Sequence, residues 1–172
     1  MFPERASAFT SALIANGPTA DYPALMRPFA RLVGSWDVRG SRLDAASGEW
    51  RDRHFTWVVA YILEGRAVQD LEVVEGPGGV AETVATAVRV YDPDAGLWRV
   101  SFFAPRTGEF CHLVATSHRN GIRQDGSQTD ERPIRWNFSE ITDDRYVWEG
   151  WVSDDGGQTF TLTERNVGTR LA

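Results

Sequence analysis

Three side chains that could polarise an oxygen atom or move a proton lie in strand-like stretches of the sequence: Tyr61, Arg89 and His112. A phenol or an imidazole can exchange a proton with a reacting group, and a guanidinium stabilises negative charge that develops on oxygen. Arg89 shares one strand face with Ala85 and Ala87, whose small side chains leave room for a ligand carboxylate or enolate. If the chain is an enzyme, Tyr61, Arg89 and His112 are its candidate catalytic residues.

Each candidate also has a structural interpretation. A histidine among apolar residues is more often a satisfied core or surface residue than a catalytic one. Most arginines are exposed, and pairing with a carboxylate on a neighbouring strand is the alternative for Arg89. Cys111 would be a nucleophile only if His112 activated it. That pairing is disfavoured because adjacent residues of a strand point to opposite faces.

The composition of the chain excludes several chemistries. Its 172 residues include no lysine, and all 18 basic residues are arginine, so a lysine Schiff base and a P-loop lysine are both excluded. Cys111 is the single cysteine, which rules out an internal disulfide and a cysteine-based zinc site. The histidines, His54, His112 and His118, do not stand at metal-ligand spacing. We therefore expect neither a metal site nor a cofactor.

The charge and the N-terminal sequence indicate the environment and the partners. A net charge of −6 disfavours nucleic acid and an anionic membrane surface as partners. The first residues lack the basic and apolar regions of a secretory signal, and no stretch of about 18 apolar residues could cross a membrane. We expect a cytoplasmic monomer or homodimer whose partner is a small hydrophobic molecule.

Hydrophobic periodicity divides the single expected domain into two parts. Residues 1–33 form a predicted N-terminal helical segment, with helices over residues 4–15 and from about residue 22 to residue 32. The second helix carries an apolar stripe, which should cover one end of the β structure. Residues 34–172 form the predicted β-barrel.

The β region consists of about ten alternating segments separated by short turns. The strongest turn signals are Asp92-Pro93-Asp94-Ala95-Gly96 and Asn120-Gly121, whose residue types favour tight turns. Short connections exclude parallel βαβ units. A sandwich would satisfy the same pattern, but consecutive hairpins favour a single closed antiparallel up-and-down β-barrel. The predicted fold class is therefore mostly β, with N-terminal helices.

The start of the first strand resembles a known superfamily. Gly34-Ser35-Trp36 has the Gly-x-Trp form of lipocalins and related calycin barrels. The chain also resembles a group of uncharacterised bacterial lipocalin-like proteins, in the stretches LVGSW (32–36), LEGRAVQD (63–70), RVYDPDAGLWRV (89–100), RWNFSEIT (135–142) and WVSDDGGQTF (151–160). This resemblance implies a lipocalin-like barrel in which Trp36 closes one end and Arg165, in the last strand, packs over it.

The positions of the histidines bear on whether the barrel could bind haem. The haem-binding β-barrels called nitrobindins bring a proximal histidine from near the C-terminus, and no histidine follows His118 here. An axial ligand would have to come from elsewhere in the barrel, with His112 as the remaining candidate. Haem binding is therefore not inferred from this resemblance.

Strand alternation predicts which side chains face inward. In residues 55–63 the bulkier set, with Trp57 and Tyr61, is assigned inward; in residues 66–74 the inward set includes Gln69 and leaves Asp70 outside. The predicted ligand-binding residues are Trp57, Tyr61, Gln69, Arg89, Phe102, His112, Trp136 and Trp148. A barrel of about ten strands is too wide for side chains to fill, so we expect a small aromatic cavity. The alternative is that these aromatic residues form a solid core.

Three functional hypotheses follow. The first is that the barrel binds a small apolar or aromatic molecule, anchored by Tyr61, Gln69 or Arg89. The second is a cofactor-independent enzyme, such as an isomerase, cyclase or hydrolase, acting on a hydrophobic metabolite in the same pocket. The third, haem binding, depends on His112 as the axial ligand.

Overall fold

The computed structural model describes residues 4–172, and their side chains from residue 8 onward. The helices are α1 (Glu4–Leu13) and α2 (Pro23–Ala30). The strands are β1 (Ile14–Ala15), β2 (Gly34–Leu43), β3 (Trp50–Ile62), β4 (Ala67–Glu75), β5 (Ala81–Asp92), β6 (Leu97–Ala104), β7 (Glu109–His118), β8 (Gly121–Ser127), β9 (Pro133–Ser139), β10 (Arg145–Val152) and β11 (Thr161–Arg170).

Strands β2 to β11 form a closed barrel. Each of these ten strands pairs antiparallel with the next, and β11 pairs with β2 to complete the ring. The predicted closed up-and-down barrel is confirmed, and the sandwich is excluded because no edge is left in the ring. The short strand β1 was not predicted. It follows directly on α1 and pairs with the end of β3 through Ile14–Ile62 and Ala15–Tyr61.

Helix α2 covers one end of the barrel. Pro23 occupies its first turn, where the missing amide hydrogen has no partner to lose. Met26, Phe29 and Leu32 are buried in the core. The ring of Phe29 meets that of Trp98, at the start of β6, with the centroids 4.7 Å apart. Apolar packing thus closes one end of the barrel. The interior can be reached only from the opposite end.

The arginine that covers Trp36 is Arg170, and the prediction of Arg165 was wrong. Arg170 lies directly opposite Trp36 in the β11–β2 register, with its guanidinium carbon 4.1 Å from the centroid of the indole ring. Arg165 lies opposite Ser41 and points outward, where it pairs with Glu149 at 3.4 Å. Register and strand parity therefore decide which of the two arginines closes the barrel.

Strand β4 presents the opposite face from the one predicted. Val68, Asp70 and Glu72 point inward, because they stand opposite the inward residues of β3 and β5 in the register. Gln69 points outward and donates a hydrogen bond to the Thr86 hydroxyl at 3.0 Å. The prediction that Gln69 faces inward and Asp70 outward was therefore wrong.

His112 is also on the outer face. It lies opposite Ser101 on β6, with its Nδ1 atom 3.2 Å from the serine hydroxyl. Its neighbour Cys111 is fully buried and faces inward, so the expected separation of these two side chains is confirmed. No helix in the described part of the chain is long and apolar enough to span a membrane.

Candidate functional site

The interior of the barrel contains a cavity of about 260 Å³. It lies between the end covered by α2 and the opposite end, where β2, β4 and β6 terminate and β3, β5 and β7 begin. Its aromatic lining residues are Phe55, Trp57, Phe102, Trp136, Phe138, Tyr146 and Trp148. Its charged lining residues are Arg42, Arg53, Asp70, Glu72, Arg89, Arg106, Glu109 and Glu164.

The aromatic wall is held in place by ring-to-ring contacts. Trp136 meets Phe102 and Trp148 edge to face, with centroid distances of 5.4 and 5.6 Å. Trp57 stacks on Phe138 at 5.8 Å and meets Tyr146 at 5.3 Å. Offset and edge-to-face arrangements are the favourable ones for aromatic pairs. The rings therefore present a preformed apolar surface to whatever occupies the cavity.

A buried ion pair joins Asp70 and Arg89 beside this wall. Both residues are at least 95% buried, and Arg89 Nη1 donates a hydrogen bond to Asp70 Oδ2. Asp70 Oδ1 accepts a second bond from the Ala87 amide at 2.9 Å. The Arg89 guanidinium also lies over the rings of Phe29 and Trp57, 5.2 and 5.8 Å from their centroids. Both oxygens of Asp70 are thus bonded, and the charge of Arg89 is balanced by the carboxylate, while Arg89 Nε is left without a hydrogen bond.

A second charge cluster occupies the open end of the cavity. Arg53 binds the carboxylates of both Glu72, at 3.1 Å, and Glu164. Arg42 binds Glu109 at 3.0 Å and lies 3.6 Å from Glu164. Two guanidinium groups therefore face three carboxylates, which leaves one negative charge in excess.

The excess negative charge affects the protonation of Glu72. Its side chain is 16% exposed. Burial raises the pKa of its carboxyl to about 7, the charges of Asp70 and Glu164 act in the same direction, and Arg53 opposes them. Near neutral pH the Glu72 carboxyl is thus present in both its protonated and its ionised form.

Tyr146 contributes a neutral hydroxyl to the same cavity. Its side chain is buried, and burial, with the nearby charges of Asp70 and Glu72, raises its pKa well above the usual value. Gly168 lies opposite it in the register, and a Cβ atom there would come within 2.2 Å of the phenol ring. Within the described part of the chain the hydroxyl has no hydrogen-bond partner, so it is available as a donor.

An ion pair crosses the open end of the barrel. Arg42 and Glu109 belong to β2 and β7, which are five strands apart in either direction around the ten-stranded ring. These two residues and Thr107 line both the inner cavity and a second, more polar groove of about 540 Å³. The Arg42–Glu109 pair therefore separates an aromatic inner chamber from a polar outer one.

The predicted site residues fall into two groups. Trp57, Arg89, Phe102, Trp136 and Trp148 line the cavity, and their contact with a ligand stays a prediction. The remaining three do not line it: Tyr61 is half-buried against the core at the covered end, and Gln69 and His112 are on the outside.

Sequence reasoning missed most of the polar residues of the cavity, among them Asp70, Glu72 and Glu164, and did not count Tyr146 among the ligand-binding residues. A signal for the first two was present, because Asp70 and Glu72 stand opposite Ala87 and Ala85 in a hairpin that also carries the inward Arg89. Small residues across a strand pair leave space for polar partners. No cluster of three or more potential metal ligands occurs among the described residues.

Comparison with known proteins supports the fold. No protein-family model matches the chain, and no curated protein does. Among solved structures, the S-type phycobiliprotein lyase CPES from Guillardia theta is similar, with a TM-score of 0.58 over 84% of this chain and 90% of that chain. The two sequences are 9% identical, so the likeness concerns the fold. It agrees with a lipocalin-like barrel.

Proposed function

We propose that this protein binds a small, largely aromatic molecule inside the barrel. The main support for the proposal is the cavity of about 260 Å³, whose wall consists of aromatic rings in stacked and edge-to-face contact. This is the liquid volume of roughly nine water molecules, and it suits a ligand of about two fused rings. Such a preformed apolar cavity with a few polar groups is typical of small-molecule sites.

Unpartnered polar atoms indicate that the ligand also carries polar groups. Arg89 Nε and Asn166 Oδ1 are buried and have no hydrogen-bond partner among the described residues, and the Tyr146 hydroxyl has none either. Leaving such atoms unpaired costs free energy. A ligand with an oxygen or nitrogen at its inner end would pair with the Tyr146 hydroxyl, whereas Arg89 Nε and Asn166 Oδ1 have almost no accessible surface and lie out of a ligand's reach. The likeness in fold to a phycobiliprotein lyase is compatible with a small-molecule role.

Haem is not part of this proposal. The sequence admitted it only through His112, whose side chain lies outside the barrel. The chain's other two histidines, His54 and His118, are exposed as well.

The binding proposal predicts saturable quenching of tryptophan fluorescence by small aromatic molecules such as 1-naphthol and indole. Ala85 lies on the cavity wall, so Ala85→Phe should place a ring in the ligand's space and weaken binding at least about tenfold. The control is Ala81→Phe, the same change at an exposed position of the same strand, which should bind like wild type. Equal affinities of the two variants, or no saturable response to any probe, would refute the proposal.

The Arg42–Glu109 pair is expected to slow passage of the ligand. Exposed ion pairs contribute about 0.2–1 kcal/mol, so Glu109→Gln should raise the association and dissociation rates together, by up to about fivefold. Glu149→Gln removes a similar pair with Arg165 on the outer surface and should leave both rates unchanged. Stopped-flow fluorescence measures the rates. A Glu109→Gln protein with wild-type rates would show that ligands do not pass between these two side chains.

A further inference from the structure

Glu72 differs from Asp70 and Glu164 in having one carboxylate oxygen without a partner. Both oxygens of Asp70 are used, by Arg89 and by the Ala87 amide. The Glu164 Oε1 atom accepts bonds from Arg53 and Asn166, and its Oε2 atom lies 3.6 Å from Arg42. Glu72 is bound only through Oε2, by Arg53 at 3.1 Å. Its Oε1 atom has no hydrogen bond within the described part of the chain, on a side chain that lines the cavity.

The surroundings of Glu72 suit a group that takes up a proton and returns it. A carboxylate in an apolar, partly dehydrated site is a stronger base than one in water, because it loses the stabilisation that water gives its charge. Because its pKa is raised to about 7, both the acid and the base form of Glu72 are present near neutral pH. The value lies near the optimum for general acid–base catalysis at that pH.

A hydrogen-bond donor is present in the same cavity. Glu72 lies opposite Trp57 in the β3–β4 register, and the Trp57 ring meets the Tyr146 ring at 5.3 Å. The Tyr146 hydroxyl has no protein partner and stays protonated, since its pKa is raised. A planar substrate lying along the aromatic wall would therefore have a base and a neutral donor within one small cavity.

We propose that this cavity is a general-base site, in which the Glu72 carboxylate removes a proton from a planar aromatic carbon acid while the Tyr146 hydroxyl stabilises the oxygen that becomes negative. The substrate class is an aromatic molecule with a C–H bond acidified by a neighbouring carbonyl or C=N group. The Glu72 Oε1 atom takes the proton, and the electron pair of the C–H bond moves toward the oxygen, which Tyr146 holds by a hydrogen bond. Return of the proton to another atom of the substrate completes a redox-neutral isomerisation or elimination.

The proposal goes beyond binding, and it depends on the proposed function only in that the cavity must admit a small aromatic molecule. A suitable probe is 5-nitro-1,2-benzisoxazole, a planar bicycle that a base opens in one step. The base removes the ring C–H proton, the C–H electron pair forms the third bond of a nitrile, and the N–O bond breaks to leave a coloured phenolate. No cofactor or co-reactant is needed.

The wild-type protein should accelerate this ring opening over the buffer reaction. Its kcat/KM should rise as the pH increases through about 7 and level off above, because the reaction needs the ionised form of Glu72. Glu72→Gln keeps the shape of the side chain and should lower kcat/KM by roughly a hundredfold or more. Tyr146→Phe removes the donor alone and should lower it by about tenfold or more without moving the pH midpoint.

The matched control is Glu149→Gln. Glu149 lies on the outer face of β10 and pairs with Arg165, and this variant should keep the wild-type kcat/KM and pH profile. Fluorescence quenching by 1-naphthol is measured on every variant, and retained binding shows that each barrel is folded. The proposal is overturned if wild type gives no acceleration over buffer, or if Glu72→Gln is as active as wild type. In either case, quenching that persists leaves the proposed binding function standing.

Discussion

Replacing Asp70 by alanine is expected to lower the free energy of unfolding by about 3–5 kcal/mol. Arg89 would stay at least 95% buried without the carboxylate that neutralises it, and breaking a buried ion pair from one side costs about this much. The Ala87 amide would lose its acceptor at the same time. Urea or guanidinium denaturation, followed by tryptophan fluorescence, measures the change.

Two further variants test whether the loss of stability comes from leaving Arg89 without its carboxylate partner. Asp37→Ala removes a carboxylate that pairs on the surface with Arg39 and His54, and it should cost about 1 kcal/mol or less. Combining Asp70→Leu with Arg89→Met removes both charges and should recover most of the stability lost in Asp70→Ala, since hydrophobic replacements of a buried pair are often neutral. A loss in Asp70→Ala no larger than in Asp37→Ala would contradict the argument.

Arg170→Ala is expected to lower the free energy of unfolding by about 3 kcal/mol. The guanidinium donates to the backbone carbonyl groups of Val33 at 2.8 Å and Arg31 at 2.9 Å, and to that of Asp143. It also covers Trp36, which is fully buried. Hydrogen bonds from a charged donor contribute about 1.5–3 kcal/mol each, and a desolvated cation–π contact about 2 kcal/mol or more. Part of this is recovered by water in the variant, because Arg170 is only half-buried.

Arg165→Ala is the matched control on the same strand. Its side chain is 47% exposed and makes one surface pair with Glu149, so the change should cost about 0.5 kcal/mol or less. Thermal and chemical denaturation under the same conditions measures the free energy of unfolding of both variants. A larger loss in the Arg165 variant would show that the barrel is closed as the resemblance to lipocalins implied, and not through Arg170.

These stability effects bear on the proposed chemistry. The Asp70–Arg89 pair neutralises itself, so the excess negative charge stays with the cluster of Glu72, Glu164 and Glu109. This cluster lies where the cavity opens, and α2 and Trp36 close the other end. A ligand that enters past Arg42 and Glu109 therefore meets the Glu72 carboxylate before it reaches the buried pair.

The barrel could be predicted from the sequence alone. Alternation with a period of two, turns such as Asp92 to Gly96, and the lack of long connections are local properties of the chain. The structure has the expected turn there: Gly96 adopts a φ of 67°, and the Asp92 side chain accepts a hydrogen bond from Ala95 at 3.1 Å. The aromatic residues assigned inward, such as Trp57 and Trp136, were also predictable, because large apolar side chains gain most from burial.

The polar part of the site depends on contacts between strands and could not be predicted in this way. Alternation sorts β4 into two sets of side chains but does not say which set faces inward, and each set of β4 mixes apolar and polar residues. Asp70 and Glu72 face inward because Arg89 on β5 and Arg53 on β3 offer them partners, and this depends on register across strands. The choice of Arg170 over Arg165 depends on the register of β11 with β2. Burial of a charge depends on a partner distant in sequence, so the pattern of a single strand cannot show it.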